Sequence, residues 1–231
     1  MLRRLFLASA ALLPLAAHAE VPQCRLPPQV SAPALPAPDG PRRVLPVAGY
    51  TLALSWSPEY CRTRLRDPRA VFQCGGELGR FGFILHGLWP EATPGNWPQW
   101  CKAAPLMPET LRSNLCMTPS PELLAHEWAK HGACMAGTPQ GYFKAAAALV
   151  RALQYPDMMR LSRRPGLTAG DLRAAFRSAT PFLPVAAIRV KANTRGWLEE
   201  VHVCYGKDFL PEPCADRGAE DGEPLKIWRG P

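Results

Sequence analysis

The chain has 231 residues, with 27 Lys or Arg against 19 Asp or Glu and a formal net charge of +8. Its 47% hydrophobic and 20% charged fractions describe a globular chain, not a disordered one. Its 27 prolines are more than double the usual roughly 5%, which argues against a long-helix bundle, and no apolar run reaches the roughly 18 residues of a membrane span.

The first segment, MLRRLFLASAALLPLAAHAE, has a basic start at Arg3 and Arg4, an apolar stretch from Leu5 to Ala17, and small residues at Ala17 and Ala19. This is the pattern of a secretory signal over residues 1–19, cleaved after Ala19; the competing reading is a buried N-terminal helix. Eight cysteines follow: Cys24, Cys61, Cys74, Cys101, Cys116, Cys134, Cys204 and Cys214. An even number behind a leader predicts up to four disulfides in an oxidising compartment, periplasmic or extracellular. There is no C-x-x-C pair, which argues against structural zinc. The positive balance favours an anionic partner, whether nucleic acid, an acidic polymer or a membrane surface. Arg62, Arg64, Arg66 and Arg69 form one basic cluster and Arg160, Arg163 and Arg164 another, and each reads at least as well as a solvated loop.

Residues 20–48 are proline-rich and short of large apolar groups, so they are expected to form an extended arm that Cys24 can tie down, ahead of a single domain over 49–231. Tyr50 to Trp56 alternates, with Tyr50, Leu52, Leu54 and Trp56 on one face of a strand. Phe81 to Leu85 is a second strand that runs into His86. Pro121 to His131 reads as a helix, with Ser120 as N-cap, proline at the first position and Gly132 as the stop. Gly141 to Gln154 is an alanine-rich helix, and Thr168 to Ala179 a third with Thr168 and Asp171 spaced as a capping box. Ile188 to Ala192 and Leu198 to Tyr205 flank Asn193-Thr194-Arg195-Gly196 as a hairpin. Strands and helices do not alternate regularly, so the class is α+β rather than a parallel βαβ sheet.

Beyond the leader only His86, His126, His131 and His202 remain, and three of these sit in FILHGLWP (83–90) and HEWAKHGAC (126–134). On a helix with His126 at the origin, Lys130, Glu127 and His131 fall at about 40°, 100° and 140°. Leu124 and Trp128 form an apolar i, i+4 pair that anchors the helix. One rigid arc thus presents two imidazoles, an ammonium and a carboxylate near the core, where such groups must be paired or used. The zinc pattern H-E-x-x-H needs histidines at i and i+4; here they are one residue too far apart, and Lys130 would sit beside the metal. Histidines with a lysine and a carboxylate suit phosphoryl transfer by acid–base catalysis, with cations neutralising charge on the phosphate. In RNA the 2′-hydroxyl supplies an internal nucleophile that DNA lacks.

Phe83 to Pro90 and Leu123 to Cys134 resemble the two active-site segments of the ribonuclease T2 family, complete and in order. The resemblance extends more weakly to Tyr50–Trp56 with Cys61, and to Glu200-Val201-His202-Val203-Cys204. It implies a central antiparallel sheet flanked by helices and stabilised by disulfides. It also implies cleavage of single-stranded RNA without metal or cofactor, through a 2′,3′-cyclic phosphate, by a monomer that neither cuts DNA nor enters membranes. By the same resemblance His86 is the general acid and His131 the general base, His126 binds phosphate, Glu127 and Lys130 support the transition state, and Trp89 helps hold a base. In related members an Asp can follow the proline; here it is Glu91. The resemblance also implies the bridges Cys101–Cys134, Cys61–Cys74 and Cys204–Cys214, and leaves Cys24 with Cys116. His202 is expected to be structural, and Trp56, Trp97 and Trp100 to be packing groups.

Overall fold

The structure is a computed structural model that describes residues 24–93 and 95–230; the expected leader lies outside them. Strand β1 (Gly49–Trp56) is followed by the short helices α1 (Ser57–Cys61) and α2 (Val71–Cys74), then by β2 (Phe83–Glu91). Helices α3 (Pro108–Asn114), α4 (Pro121–Lys130), α5 (Pro139–Ala152), α6 (Met158–Leu161) and α7 (Ala169–Ala179) come next, and strands β3 (Ile188–Ala192) and β4 (Leu198–Gly206) close the order. The four strands form one antiparallel sheet in the order β2-β1-β4-β3. This is the α+β arrangement the sequence predicts.

The alternation of β1 buries Leu52, Leu54 and Trp56. They join Leu88 of β2, Leu124 and Trp128 of α4, Tyr142 of α5 and Phe176 of α7 in one apolar cluster. The Leu124–Trp128 pair therefore anchors α4 as its spacing requires. Ser120 caps α4 by accepting the amide of Leu123 at 3.1 Å. Thr168 and Asp171 form the reciprocal capping box of α7.

Several boundaries differ from expectation. Strand β2 begins at Phe83, not Phe81, and continues to Glu91, so the HGLWP segment is itself strand. Strand β2 is an edge strand, the place in a sheet where proline is tolerated. Helix α4 ends at Lys130, with His131 as its C-cap. Helix α5 starts at Pro139 because Thr138 caps it through the Gly141 amide. Helix α3 has no counterpart among the elements expected from sequence, although Pro108 stands at its start and Leu111 is fully buried.

The arm from 24 to 48 carries no helix, and Arg43 bridges to Gln99. Val30 and Leu35 pack against the core. All four implied disulfides are present: Cys24–Cys116, Cys61–Cys74, Cys101–Cys134 and Cys204–Cys214. Among the described residues no helix is long and apolar enough to cross a membrane. Ser120→Ala, which removes the cap of α4, is expected to lower the unfolding free energy by about 1 kcal/mol, read as a shifted urea midpoint at unchanged slope.

Candidate active site

His86 owes its position to a break in strand register. Leu54 pairs with Leu85 and Ala53 with Gly87, so His86 is the extra residue of a β-bulge on β2. A bulge bends its strand and re-aims a side chain. The displaced backbone at Leu85 is satisfied elsewhere: its amide donates to the Met117 carbonyl at 2.9 Å and its carbonyl accepts from Thr118 Oγ1 at 2.8 Å.

The ring so aimed is held from both sides. Its Nδ1 lies 2.7 Å from Glu200 Oε1 and 3.3 Å from Ser55 Oγ. Its Nε2 lies 3.5 Å from Glu127 Oε1. Glu200 also accepts from Ser55 Oγ at 2.9 Å and from Lys191 Nζ at 3.3 Å, and it lies 2.9 Å from His202 Nε2. Burial pushes the Glu200 carboxyl up, but the bonds from His202 and His86 outweigh it and hold the group well below the usual carboxylate range. Burial opposes the His86 imidazolium, yet the Glu200 hydrogen bond and the charges of Glu127 and Glu200 raise its pKa overall.

Helix α4 supplies the opposite wall. Glu127 is 2% exposed, accepts from Trp89 Nε1 at 2.7 Å, and is pushed up to about 7 by burial. Gly87 makes this approach possible, since a Cβ there would overlap Glu127 Oε2 and stand 2.6 Å from Trp89 Nε1. His131, one residue beyond the helix, is 8% exposed, and its Nδ1 is buried with no hydrogen-bond partner. Burial, then the charge of Lys130, lowers its pKa to about 3. Burial and Lys130 also lower that of His126.

Lys130 meets a group from the arm. Its Nζ lies 2.7 Å from Asp39 Oδ2, and Trp100 Nε1 donates to Asp39 Oδ1 at 3.0 Å. Trp100 stands at φ +55°, in the left-handed region that bulky residues seldom adopt, with its ring against His126 and beneath Lys130. The Trp100 amide donates to the Lys130 carbonyl at 2.8 Å, and the neighbouring Cys101–Cys134 bridge fixes this loop to the end of α4.

His86, Trp89, His126, Glu127, Lys130 and His131 line one cleft of about 760 Å³. The Trp89 ring stands between the two histidines expected to move protons, 5.3 Å from His86 and 5.6 Å from His131 between centroids. Six candidates from two distant segments therefore share one hollow. His202 lines it too, edge-on to Trp89 at 5.2 Å, and its bond to Glu200 gives it the supporting place expected of it. Trp56 and Trp100 are buried, whereas Trp97 is 40% exposed in a loop on the cleft wall, where it lies under Arg43 and donates from Nε1 to Gln99 Oε1 at 2.9 Å. Glu91, beside the cleft, accepts from Thr51 Oγ1 at 2.9 Å.

Ser55 and Asp39 join the site without having stood out in the sequence, and Glu200, in the weaker Glu200–Cys204 match, takes a place there that the sequence did not assign it. Glu200 and His202 sit two apart on a strand and so share a face, which is the one local signal that could have marked them. Among the described residues no group of three or more His, Cys, Asp or Glu is placed to hold a metal ion.

The Ribonuclease T2 family model matches residues 48–214. A probable ribonuclease of Haemophilus influenzae is 33% identical over 184 residues, covering 74% of this chain and 62% of that protein. A ribonuclease of Aeromonas hydrophila is 32% identical over 166 residues, covering 69% of this chain and 72% of its own length. The solved RNase-related protein from Calystegia sepium shares the fold with a TM-score of 0.59 at 24% identity, covering 78% of this chain and 96% of that one. The chain belongs to the ribonuclease T2 family.

Two outcomes test this geometry. In nitrogen-resolved NMR titrations the His131 ring is expected to take its proton only near pH 3 and His86 to release its proton above 6.5. An unfolded histidine titrates near 6.5, so the unfolded chain binds a proton that folded His131 refuses. Through His131, stability therefore falls as pH drops from about 6.5 toward 3. Gly87→Ala is expected to separate Trp89 from Glu127 and destabilise the fold by about 1–3 kcal/mol, measurable by chemical denaturation.

Proposed function

We propose that the chain is a metal-independent endoribonuclease that cleaves single-stranded RNA by transphosphorylation. His131 takes the proton of the 2′-hydroxyl, whose oxygen attacks the adjacent phosphorus. The bond from phosphorus to the 5′-oxygen breaks, and His86 Nε2 gives its proton to that oxygen. The products are a 2′,3′-cyclic phosphate and a new 5′-hydroxyl end. No outside base, metal or cofactor is needed, because the nucleophile belongs to the substrate.

One observation carries this assignment: two imidazoles in one cleft have proton affinities pushed in opposite directions. Groups separated in this way mark the acid and the base of a site. His131 enters the reaction neutral, with a buried Nδ1 that no protein group occupies. His86 enters charged, because Glu200 holds Nδ1 and turns Nε2 toward the cleft. The 3.5 Å between Nε2 and Glu127 is long enough for a departing oxygen to compete for the proton.

Lys130 faces the phosphate and offsets its growing charge, and His126, whose pKa burial lowers, offers the phosphate a ring N–H. Glu127, titrating at about 7, is largely protonated in mild acid and donates a hydrogen bond to a phosphate oxygen. The part-exposed ring of Trp89 offers a stacking surface to a base, worth about 1–3 kcal/mol in comparable sites. Four disulfides support a periplasmic or secreted location, and a single chain carries every group the reaction uses.

Each of His86→Ala and His131→Ala is expected to lower kcat by about 10²–10⁴. Homopolymer RNA treated with wild-type protein in EDTA should yield cyclic-phosphate ends, and DNA should survive. Activity should be highest in mild acid, falling on the alkaline side as His86 loses its proton and on the acid side near pH 3 as His131 gains one. Full activity of His131→Ala, or loss of cleavage with EDTA, would overturn the mechanism.

A further inference from the structure

The two basic clusters of the sequence find no role in the cleft, yet the fold brings members of both to one aromatic pair. The Arg62 guanidinium lies 4.7 Å from the Trp197 ring centroid and 4.5 Å from that of Trp228. The two indoles meet edge to face at 5.8 Å. Beside them opens a second cavity, of about 460 Å³, floored by Leu167, Leu225 and Ile227 and walled by the two tryptophans. Arg164, Lys226 and Arg229 also line it, and among the described residues no carboxylate does. Arg164 is paired with Asp171 at 3.0 Å, and Arg62 with Glu59 at 3.4 Å. Lys226 Nζ donates to the Arg195 carbonyl at 3.1 Å, and Trp228 Nε1 is buried without a partner. Flat apolar walls with a cationic surround suit a ligand that combines a ring with an anion.

A path links this cavity to the catalytic cleft. A shallow groove follows the edge strand β3 past Lys191 and Asn193. It shares Arg189 with the catalytic cleft and Pro224 with the aromatic cavity. Glu223 is the one carboxylate lining it, and Arg189 is paired with Asp216 at 2.8 Å. Trp197 stands three positions before Glu200, roughly 10 Å of extended chain from the support of His86. Lys226, Trp228 and Arg229 lie beyond residues 48–214, the span matched by the family model.

We propose that this cavity is a second nucleotide site, in which a single-stranded RNA running from the cleft along β3 seats a base against Trp197 and Trp228 and a phosphate near Lys226 and Arg229. The proposal rests on the ribonuclease reading for its choice of polymer, but the site itself binds without cleaving. It makes long substrates bind better than short ones.

The test uses the full protein and a labelled 2′-O-methyl 12-mer, which lacks the nucleophile and stays intact, beside a 2′-O-methyl dinucleotide. Lys226→Ala/Arg229→Ala alters two exposed side chains and leaves the buried Leu225 and Ile227 in place. It is expected to weaken 12-mer binding at least fivefold, to lower the salt slope by about 0.7 for each phosphate left without its cation, and to leave dinucleotide binding unchanged. Trp197→Phe, which keeps a ring, should weaken the 12-mer less than the double variant. Unchanged 12-mer affinity, or an equal loss on both ligands, overturns the second site. Failure of wild-type protein to cut unmodified RNA would instead count against the ribonuclease reading and leaves the binding measurement standing.

Discussion

Glu200 is the point at which the sheet becomes a site. Its carboxylate lies within hydrogen-bond reach of Ser55 on β1, His86 on β2, Lys191 on β3 and His202 on its own strand β4. One buried anion thus joins all four strands on a single face. Burial alone would have favoured its neutral form, and the donors around it reverse that preference. The negative charge orients the His86 ring, because it holds Nδ1 at 2.7 Å and leaves Nε2 on the side of Glu127. Removing the carboxylate would leave the buried His202 and the half-buried His86 without the hydrogen-bond partner they share, a larger loss than any one bond.

The second constraint is how closely helix and sheet approach. The bulge at His86 and the missing side chain at Gly87 let Glu127 reach both His86 and Trp89. Gly132 does the same on the far side of His131, where a Cβ would stand 2.7 Å from both Trp128 and Tyr142. The dense glycines of these two segments are therefore part of the active-site geometry. Tyr142 adds a further tie, its hydroxyl accepting the Leu88 amide at 3.0 Å, and so links α5 to the strand that carries His86.

The proline-rich arm enters this geometry through one side chain. Asp39 pairs with Lys130, and Trp100 donates to the same carboxylate from a backbone conformation that costs about 1–3 kcal/mol. Such strain persists where the surroundings enforce it, and here the Cys101–Cys134 bridge and the Arg43–Gln99 pairing hold the loop. Asp39 is more than half exposed, so its pair with Lys130 is a weak surface interaction.

Much of the site could be read from local pattern. The alternation of β1, the cap and apolar pair of α4, and the spacing of His126, Glu127, Lys130 and His131 each depend on residues within a few positions, where periodicity acts directly. The sequence therefore determined the α+β class, the strands and longer helices of that class, and which side chains meet in the cleft. It did not determine that HGLWP is strand, because edge placement, not composition, makes its proline tolerable there. Nor did it reveal the reach of Glu200 to His86 across 114 positions, or that of Asp39 to Lys130 across 91. Only tertiary structure pushed the proton affinities of His86 and His131 in opposite directions, since these depend on burial and on charges that arrive from distant parts of the chain.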